Sequence, residues 1–154
     1  MEIVKFYRND PNAPKTTMRA RLGANAVITW DGKILLEKRR DCDLWGLVGG
    51  GVKKGEHQDQ AMIREIYEEL GIKVKREDLK KLTVYGEPGR IAAYRDGSIW
   101  RMVIVAYALQ LQSKPELRIS KESRQLRFFT KEELKDIEIV ITHADIVDDW
   151  FINK

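Results

Sequence analysis

Three glutamates, Glu65, Glu68 and Glu69, lie within five residues of a 154-residue chain that carries a formal net charge of +4. Residues 56–70 hold five acidic residues and one basic residue, so this segment has a charge of −4 and the rest of the chain +8. Like charges three or four residues apart on a helix repel one another. Hard cations such as Mg²⁺ or Mn²⁺ bind carboxylate oxygens and would remove that repulsion. The pattern indicates a metal site; the alternative is an acidic solvent-facing surface paired with basic residues elsewhere.

The segment 56–70 has the periodicity of an amphipathic helix. On a helix of about 100° per residue, the three glutamates share one arc and Met62, Ile66 and Leu70 fall on the opposite one. Gly71 follows directly and is suited to end a helix in the left-handed conformation. We therefore predict a helix over 56–70 that buries its apolar residues and directs the three carboxylates to one side.

Four glycines, Gly49, Gly50, Gly51 and Gly55, come just before this helix in the stretch "LVGGGVKKGE". Glycine lets the backbone bend sharply and approach a ligand closely. A glycine-rich loop that leads into a helix can hold phosphate, although a glycine cluster alone can also be a flexible loop. The loop and the acidic helix together form a more specific pattern than either does alone.

The remaining elements must position this helix. Alternating apolar residues around 31–32 and 96–97, both Asp-Gly, predict two β-hairpins. The run "WRMVIVAYALQL" at 100–111 predicts a strand that is buried on both faces. Residues 1–18 are polar, contain two prolines and are predicted to be irregular. The mixture of strands and helices favours an α/β fold with a mixed sheet covered by helices.

Two capping patterns predict short helices in the last part of the chain. Thr130 and Glu133 have the spacing of a capping box, and so do Thr142 and Asp145 before the last helix. The apolar stripe of that last helix is predicted to face the core, and it consists of Ile146, Val147, Trp150 and Phe151.

Composition and length narrow the class of protein. The single cysteine, Cys42, cannot form an internal disulfide, and the first residues lack the apolar core of a signal peptide. The longest apolar run, 102–109, is far shorter than the ~18 residues needed to span a bilayer. The modest positive charge does not by itself indicate nucleic-acid binding. We expect a cytoplasmic protein with no membrane or nucleic-acid partner.

The glycine and glutamate spacing resembles the complete Nudix box. Gly50 is followed after five residues by Glu56, and after seven more residues by "REIYEELGI", which ends at Ile72. The box thus covers 50–72, and "ILLEKRRD" and "RQLRFFTKEEL" resemble the segments that flank it in this family. The chain is similar to small, single-domain, MutT-like members of the Nudix hydrolase family.

The resemblance implies a fold and a set of metal ligands. The expected fold is a mixed β-sheet sandwiched between α-helices, in one domain over 1–154. Glu65, Glu68 and Glu69 match the metal-binding and catalytic glutamates of the family, and Gly49 matches a position whose backbone carbonyl often joins them. The expected cofactor is Mg²⁺ or Mn²⁺.

Four box residues match structural positions of the family. Arg64 and Glu56 match a pair that braces the box, Gly71 ends the helix, and Gly50 is one of the box-defining positions.

The resemblance also implies a reaction, the metal-dependent hydrolysis of a nucleoside diphosphate linked to another group. In our hypothesis, one to three ions neutralise the diphosphate and lower the pKa of a water, which a carboxylate then orients or deprotonates. Glu69 or Glu65 is the first choice for this base. Glu122, in "SKESRQ", is another candidate for the base. Alternatively, Glu122 is a residue of a surface loop without a catalytic role.

The substrate is left more open. Arg39 and Arg90 could hold phosphate oxygens or be surface charges, and Trp45 could stack on a base or pack in the core. The small size favours nucleoside triphosphates, including oxidised ones, as substrates. Pro88, by contrast, lies where a proline resembles a feature of the ADP-ribose-hydrolysing members. An ADP-ribose or nucleotide-sugar pyrophosphatase is therefore an alternative, and a non-catalytic nucleotide sensor is an alternative of another class. A homodimer is a family expectation.

Overall fold

The structure is a computed structural model that describes residues 3–153. In this range the chain forms nine β-strands, two α-helices and two short 3₁₀ helices. The helices are α1 (Gln58–Leu70), α2 (Ile141–Ile152) and the 3₁₀ helices Arg76–Asp78 and Glu133–Asp136. The strands are β1 (Ile3–Arg8), β2 (Arg21–Trp30), β3 (Lys33–Arg39), β4 (Trp45–Gly46), β5 (Val48–Gly51), β6 (Lys80–Tyr85), β7 (Arg90–Tyr94), β8 (Ile99–Gln110) and β9 (Ser123–Phe129).

The sheet is built around the parallel pair β2 and β8, whose register runs from Arg21 opposite Met102 to Thr29 opposite Gln110. Its strand order is β1-β7-β8-β2-β3-β4, with β5 paired to β2, β6 to β8 and β9 to β3. The other pairs are antiparallel. The sheet is therefore mixed, as predicted.

The two helices cover opposite faces of the sheet. Met62, Ile66 and Leu70 of α1 pack in one buried cluster with alternate residues of β2 and β8. Ile146 and Val147 of α2 pack in a second cluster on the other face. Full burial of such side chains stabilises a fold by about 1.5–3 kcal/mol each. The predicted sandwich and the predicted apolar faces of both helices are confirmed.

Both predicted hairpins are present. Asp31 and Gly32 join β2 to β3 with φ values of 54° and 73°, the two positive values that a type I′ turn requires. Gly97, with φ of 91°, lies in the turn between β7 and β8. The apolar strand β8 is buried from Ile104 to Leu109 on both faces, as expected.

The prediction of an irregular segment over 1–18 is wrong for its first part, of which residues 1–2 lie outside the described range. Strand β1 pairs with β7 and places Phe6 opposite Ala92. Phe6 is buried and Lys5 is exposed. A short edge strand with a single core residue has too little alternation of apolar and polar residues to be recognised in the sequence. Its pairing depends on a partner far away in the chain.

The starts of the helices differ from those predicted. Helix α1 begins at Gln58, two residues later than expected, because the His57 side chain caps it by accepting from the Asp59 N–H at 3.1 Å. Helix α2 begins at Ile141, so Thr142 lies inside its first turn and is buried. The predicted capping box at Thr142 is therefore wrong.

The other capping box is present. The Thr130 N–H donates to Glu133 Oε1 at 2.9 Å, and the Glu133 N–H donates to Thr130 Oγ1 at 3.2 Å. It precedes a 3₁₀ helix.

Over the described part of the chain, neither helix combines the length and the apolar character that crossing a lipid bilayer would require.

Candidate functional site

A cleft of about 690 Å³ opens beside the C-terminal half of α1, where strands β2, β3 and β5 come together. One part of its lining is acidic and consists of Glu37, Asp41, Glu65, Glu69 and Glu122. Another part is basic and consists of Arg21, Arg39, Arg40, Lys53 and Lys121.

Helix α1 brings two of the three predicted glutamates into this cleft. Glu65 and Glu69 are one turn apart on one face, and both are buried, Glu69 with only 3% of its surface exposed. Glu68 differs, because its side chain is 53% exposed, is absent from the cleft lining and pairs with Arg64 Nη1 at 3.2 Å. Gly71 ends the helix in the left-handed conformation, with φ of 78°, and its N–H donates to the Tyr67 carbonyl.

Strand β5 needs glycine at 49 and 50 because the backbone of β2 and the Glu65 carboxylate approach it closely. A Cβ on Gly50 would lie 2.6 Å from Glu65 Oε1, and a Cβ on Gly49 would lie 2.1 Å from the Ala24 carbonyl oxygen. The Gly49 N–H donates to Glu69 Oε2 at 3.2 Å. The glycine strand thus forms one wall against which both helix carboxylates are held.

Arg64 ties the loop before α1 to the helix. Its Nε and Nη2 donate to the two carboxylate oxygens of Glu56 at 2.8 and 3.0 Å, and Nη2 also donates to the Gly51 carbonyl at 3.0 Å. Its Nη1 donates to Glu65 Oε1 at 2.8 Å. The hydrogen bonds from Arg64 lower the pKa of Glu56 to about 2.

Glu37, at the end of β3, belongs to the cleft although the sequence analysis missed it. It is only 5% exposed, and its Oε2 accepts from Ser123 Oγ at 2.7 Å. It lines the same cleft as Glu69. A signal was available, because side chains alternate along a strand and Glu37 shares the face of Leu35, which is buried beneath α1.

Burial raises the pKa values of three glutamates of the cleft. Burial raises the pKa of Glu69 well above its ordinary value, and the negative charges of Glu37 and Glu65 raise it further, while the Gly49 N–H opposes them. Burial also raises the pKa of Glu37, against the Ser123 hydroxyl. Burial likewise raises the pKa of Glu65, against Arg64. These carboxylates lie where added positive charge would be favourable.

Their chemistry fits a hard divalent cation. Carboxylate oxygens are the ligands that Mg²⁺ and Mn²⁺ prefer, and buried charges are normally paired or bind metals. Within residues 3–153, no three His, Cys, Asp or Glu side chains already stand in a coordinating arrangement. Glu37, Glu65 and Glu69 bring carboxylate oxygens, which are donors of the right kind, to one part of the cleft.

Two arginines of the basic part lie over aromatic rings. Arg39 lies over Phe6, 5.4 Å from the ring centre, and is held by Asp41 through hydrogen bonds of 2.9 and 2.7 Å. Arg21 lies over Tyr94 at 5.1 Å, and in the part of the chain that the structure describes its buried Nη1 has no hydrogen-bond partner. Arg21, which the sequence analysis did not single out, therefore adds a charged side chain to the cleft lining.

Glu122 also lies at the cleft, where the sequence analysis proposed a possible base. Its negative charge contributes to the raised pKa of Glu37.

Arg90 does not have either of the roles considered from the sequence, a contact to substrate phosphate or a charge on the surface. It is 0% exposed and lies outside the cleft lining. Its guanidinium donates to Glu87 Oε1 at 2.7 Å, to both oxygens of Asp145 and to the Thr142 carbonyl. It is an internal ion pair that joins β7 to α2, so its groups are not available to a phosphate.

Trp45 lies in the core. It is 8% exposed and meets the Phe129 ring edge to face, with ring centres 4.9 Å apart. Of its two interpretations, the structure shows core packing and not a stacking surface in the cleft.

Comparison with known proteins identifies the family. The family model for the NUDIX domain matches residues 19–150. An ADP-ribose pyrophosphatase from Methanocaldococcus jannaschii is 30% identical over 152 residues, which cover 97% of this chain and 82% of that relative. The chain belongs to the NUDIX family.

Other relatives match over shorter stretches. The CTP pyrophosphohydrolase of Escherichia coli (strain K12) is 49% identical over 51 residues, so the match spans 30% of this chain and 38% of that relative's length. The crystal structure of a MutT NUDIX hydrolase from Burkholderia pseudomallei superposes with a TM-score of 0.60 at 33% identity, over 75% of this chain and 86% of that one.

Proposed function

We propose that this protein is a divalent-metal-dependent hydrolase that cleaves the phosphoanhydride bond of a nucleoside diphosphate linked to another group. The observation that carries the proposal is the pair Glu65 and Glu69, buried against the glycine strand β5 in a cleft whose other part is basic. Membership of the NUDIX family and the names of its pyrophosphohydrolase relatives support it.

Mg²⁺ or Mn²⁺ would be held by Glu65 and Glu69, with the Gly49 carbonyl and Glu68 as further ligands. When bound, the ion supplies positive charge that neutralises diphosphate oxygens and promotes loss of a proton from water. Glu68 reaches the site only by leaving Arg64, which it contacts at 3.2 Å, and the exposure of its side chain permits that movement.

The chain itself supplies the base. Glu69 and Glu65 line the cleft as buried carboxylates, which can orient or take a proton from a water at the substrate. The Gly49 N–H, donating to Glu69 Oε2, holds that carboxylate in place. Glu69 is our first choice as the base that orients or deprotonates water, followed by Glu65, and Glu122 at the same cleft is the alternative.

The basic part of the cleft would bind the anionic substrate. Arg39 is oriented by Asp41, and Arg21 has an unused donor at Nη1. Lys53 and Lys121 add positive charge around the same opening. Basic side chains grouped in one part of a cleft attract anionic ligands, such as the substrate of a phosphoanhydride hydrolase.

Nucleoside triphosphates, including oxidised ones, are our first choice of substrate, in line with the CTP pyrophosphohydrolase that is 49% identical over 51 residues. ADP-ribose is the second candidate, because the relative with that name aligns with 97% of this chain. We also propose that residues 1–154 act as one NUDIX domain on small nucleotides. The cytoplasmic location and the homodimer stay predictions.

The test is a substrate panel. Purified protein with Mg²⁺ or Mn²⁺ is incubated with 8-oxo-dGTP, the common nucleoside triphosphates, ADP-ribose, nucleotide sugars and dinucleoside polyphosphates, and the products are separated by chromatography. We expect turnover of one class, loss of that turnover in Glu69→Gln, and normal turnover in Glu116→Gln, which changes an exposed glutamate. Faster turnover of ADP-ribose than of every triphosphate would overturn the order of substrates. Metal-dependent nucleotide binding with no turnover would favour the sensor.

A further inference from the structure

Glu37 is a buried carboxylate of the cleft that lies outside the 50–72 box. It is contributed by the end of β3, whereas Glu65 and Glu69 are contributed by α1. Because Glu37 shares the strand face of Leu35, its side chain points toward α1 and away from solvent.

The groups around Glu37 compensate its charge only in part. It lines the cleft together with Glu69 and Glu122, and its Oε2 accepts from Ser123 Oγ at 2.7 Å. Arg39, two residues along β3, attracts this charge, but its ion pair is with Asp41 at 2.7 Å. Over residues 3–153, no basic side chain forms an ion pair with Glu37 or Glu69. Buried carboxylates in proteins are normally paired with a cation or coordinate a metal.

We propose that Glu37 is a further ligand of the divalent cation in this cleft, and that Ser123 positions its carboxylate. The inference rests on the proposed function, which places a cation at Glu65 and Glu69. A site built in this way draws ligands from both a strand and a helix, so the cation also bridges β3 and α1. Ser123, from β9, is buried, and its hydroxyl donates one hydrogen bond to the Glu37 carboxylate. This bond holds the carboxylate in position.

The alternative is that Glu37 is a structural group whose bond to Ser123 joins β3 to β9. The two roles predict opposite effects of Glu37→Gln on the metal-free protein. An amide can still accept from Ser123, so the loss of a buried repelling charge keeps or raises the melting temperature if Glu37 is a metal ligand. If the carboxylate is structural, the charge-assisted bond is lost and the melting temperature falls.

The experiment is a titration of the full chain with Mn²⁺, followed by calorimetry and by the electron paramagnetic resonance signal of free Mn²⁺. Melting temperatures are measured with EDTA and with saturating Mn²⁺. The variants are Glu37→Gln, Glu37→Asp, Ser123→Ala and, as a matched change of the same charge on the surface, Glu116→Gln. We expect Glu37→Gln to weaken Mn²⁺ binding about tenfold, Ser123→Ala to weaken it less, and Glu116→Gln to leave it unchanged.

Each outcome decides the inference. Glu37→Asp keeps the charge on a shorter side chain, so its Mn²⁺ affinity should fall between wild type and Glu37→Gln. A loss of less than about threefold in Glu37→Gln, well under the effect expected even of an outer-shell group, would overturn the proposal. A melting temperature in EDTA that is lower for Glu37→Gln than for wild type would overturn the proposal as well. If wild type binds no Mn²⁺, the proposed function fails together with the inference, whereas normal wild-type binding that Glu37→Gln does not change removes the inference alone.

Discussion

Two groups of charged residues on and beside α1 have glutamate pKa values that are shifted in opposite directions. The brace, Glu56 with Arg64, pairs its charges, and the pKa of Glu56 falls to about 2. The carboxylate cluster, Glu37, Glu65 and Glu69, crowds like charges in a buried place, and their pKa values rise. Both groups contain glutamates, so the difference in pKa comes from their surroundings. A neighbouring arginine lowers the pKa of Glu56, whereas burial raises the pKa values in the cluster.

Glu65 stands between the two groups. It accepts from Arg64 Nη1 at 2.8 Å and is buried against Gly50. Arg64 therefore neutralises part of the cluster while it holds the brace together.

The largest effect that separates the two groups is expected for Glu69→Gln. Removing this charge from the cluster should lower turnover by about a hundredfold or more, which corresponds to about 2.7 kcal/mol in the activation barrier. The metal-free protein should be no less stable, because a repelling buried charge is lost. Steady-state kinetics with the substrate found in the panel, together with urea unfolding in EDTA, measure both. Comparable turnover in Glu69→Gln and wild type would contradict the proposed role.

Arg64→Ala should show the reverse pattern, a loss of stability. It leaves Glu56 and Glu65 without their partner and removes a donor to the Gly51 carbonyl. Because these groups are partly solvated, we expect a loss of about 1–3 kcal/mol in the free energy of unfolding. Arg64→Lys keeps the charge but not the bidentate geometry and should fall between the two. Unchanged urea unfolding of Arg64→Ala would show that the brace contributes nothing.

Gly50→Ala tests how closely the cluster depends on the glycine strand. The new Cβ would lie 2.6 Å from Glu65 Oε1, the end of a flexible side chain, so the carboxylate moves and the fold remains. We expect turnover and Mn²⁺ affinity to fall by about tenfold, equal to about 1.4 kcal/mol. Gly51→Ala is the control, since its Cβ would be 3.3 Å from Arg21 Nη2 and does not approach Glu65. Equal losses in both variants would contradict this reading of the strand.

The smallest effect is the pH dependence of stability, where the two groups have opposite signs. The folded pKa of Glu56, about 2, lies below its ordinary value of 4.5, so its contribution to stability is complete above pH 4.5 and is lost as pH falls toward 2. The folded pKa values of the cluster are raised, so its contribution is present below 4.5 and is lost as pH rises through them. Urea midpoints in EDTA across this range should show a weaker acid loss in Glu56→Gln. An identical pH profile in that variant would contradict the assignment.

Residues near one another in the chain were sufficient to predict the acidic face of α1, its end at Gly71, and both Asp-Gly hairpins. These features depend on helix periodicity and on backbone conformations that particular residues favour, and neither needs a distant partner. The spacing from Gly50 to Ile72 was also sufficient to predict the family, because it lies in one continuous segment.

Tertiary structure alone decided which side chains meet in the cleft. Glu37 faces Glu69 because β3 passes beside α1, and Arg21 lies against Tyr94 because β2 and β7 both border β8. Long-range packing also places Arg90 in a buried ion pair with Asp145, so Arg90 does not contact substrate phosphate. Burial and countercharge are supplied by residues many positions away, so the sequence determined the helix that carries the glutamates while the assembled sheet determined their surroundings.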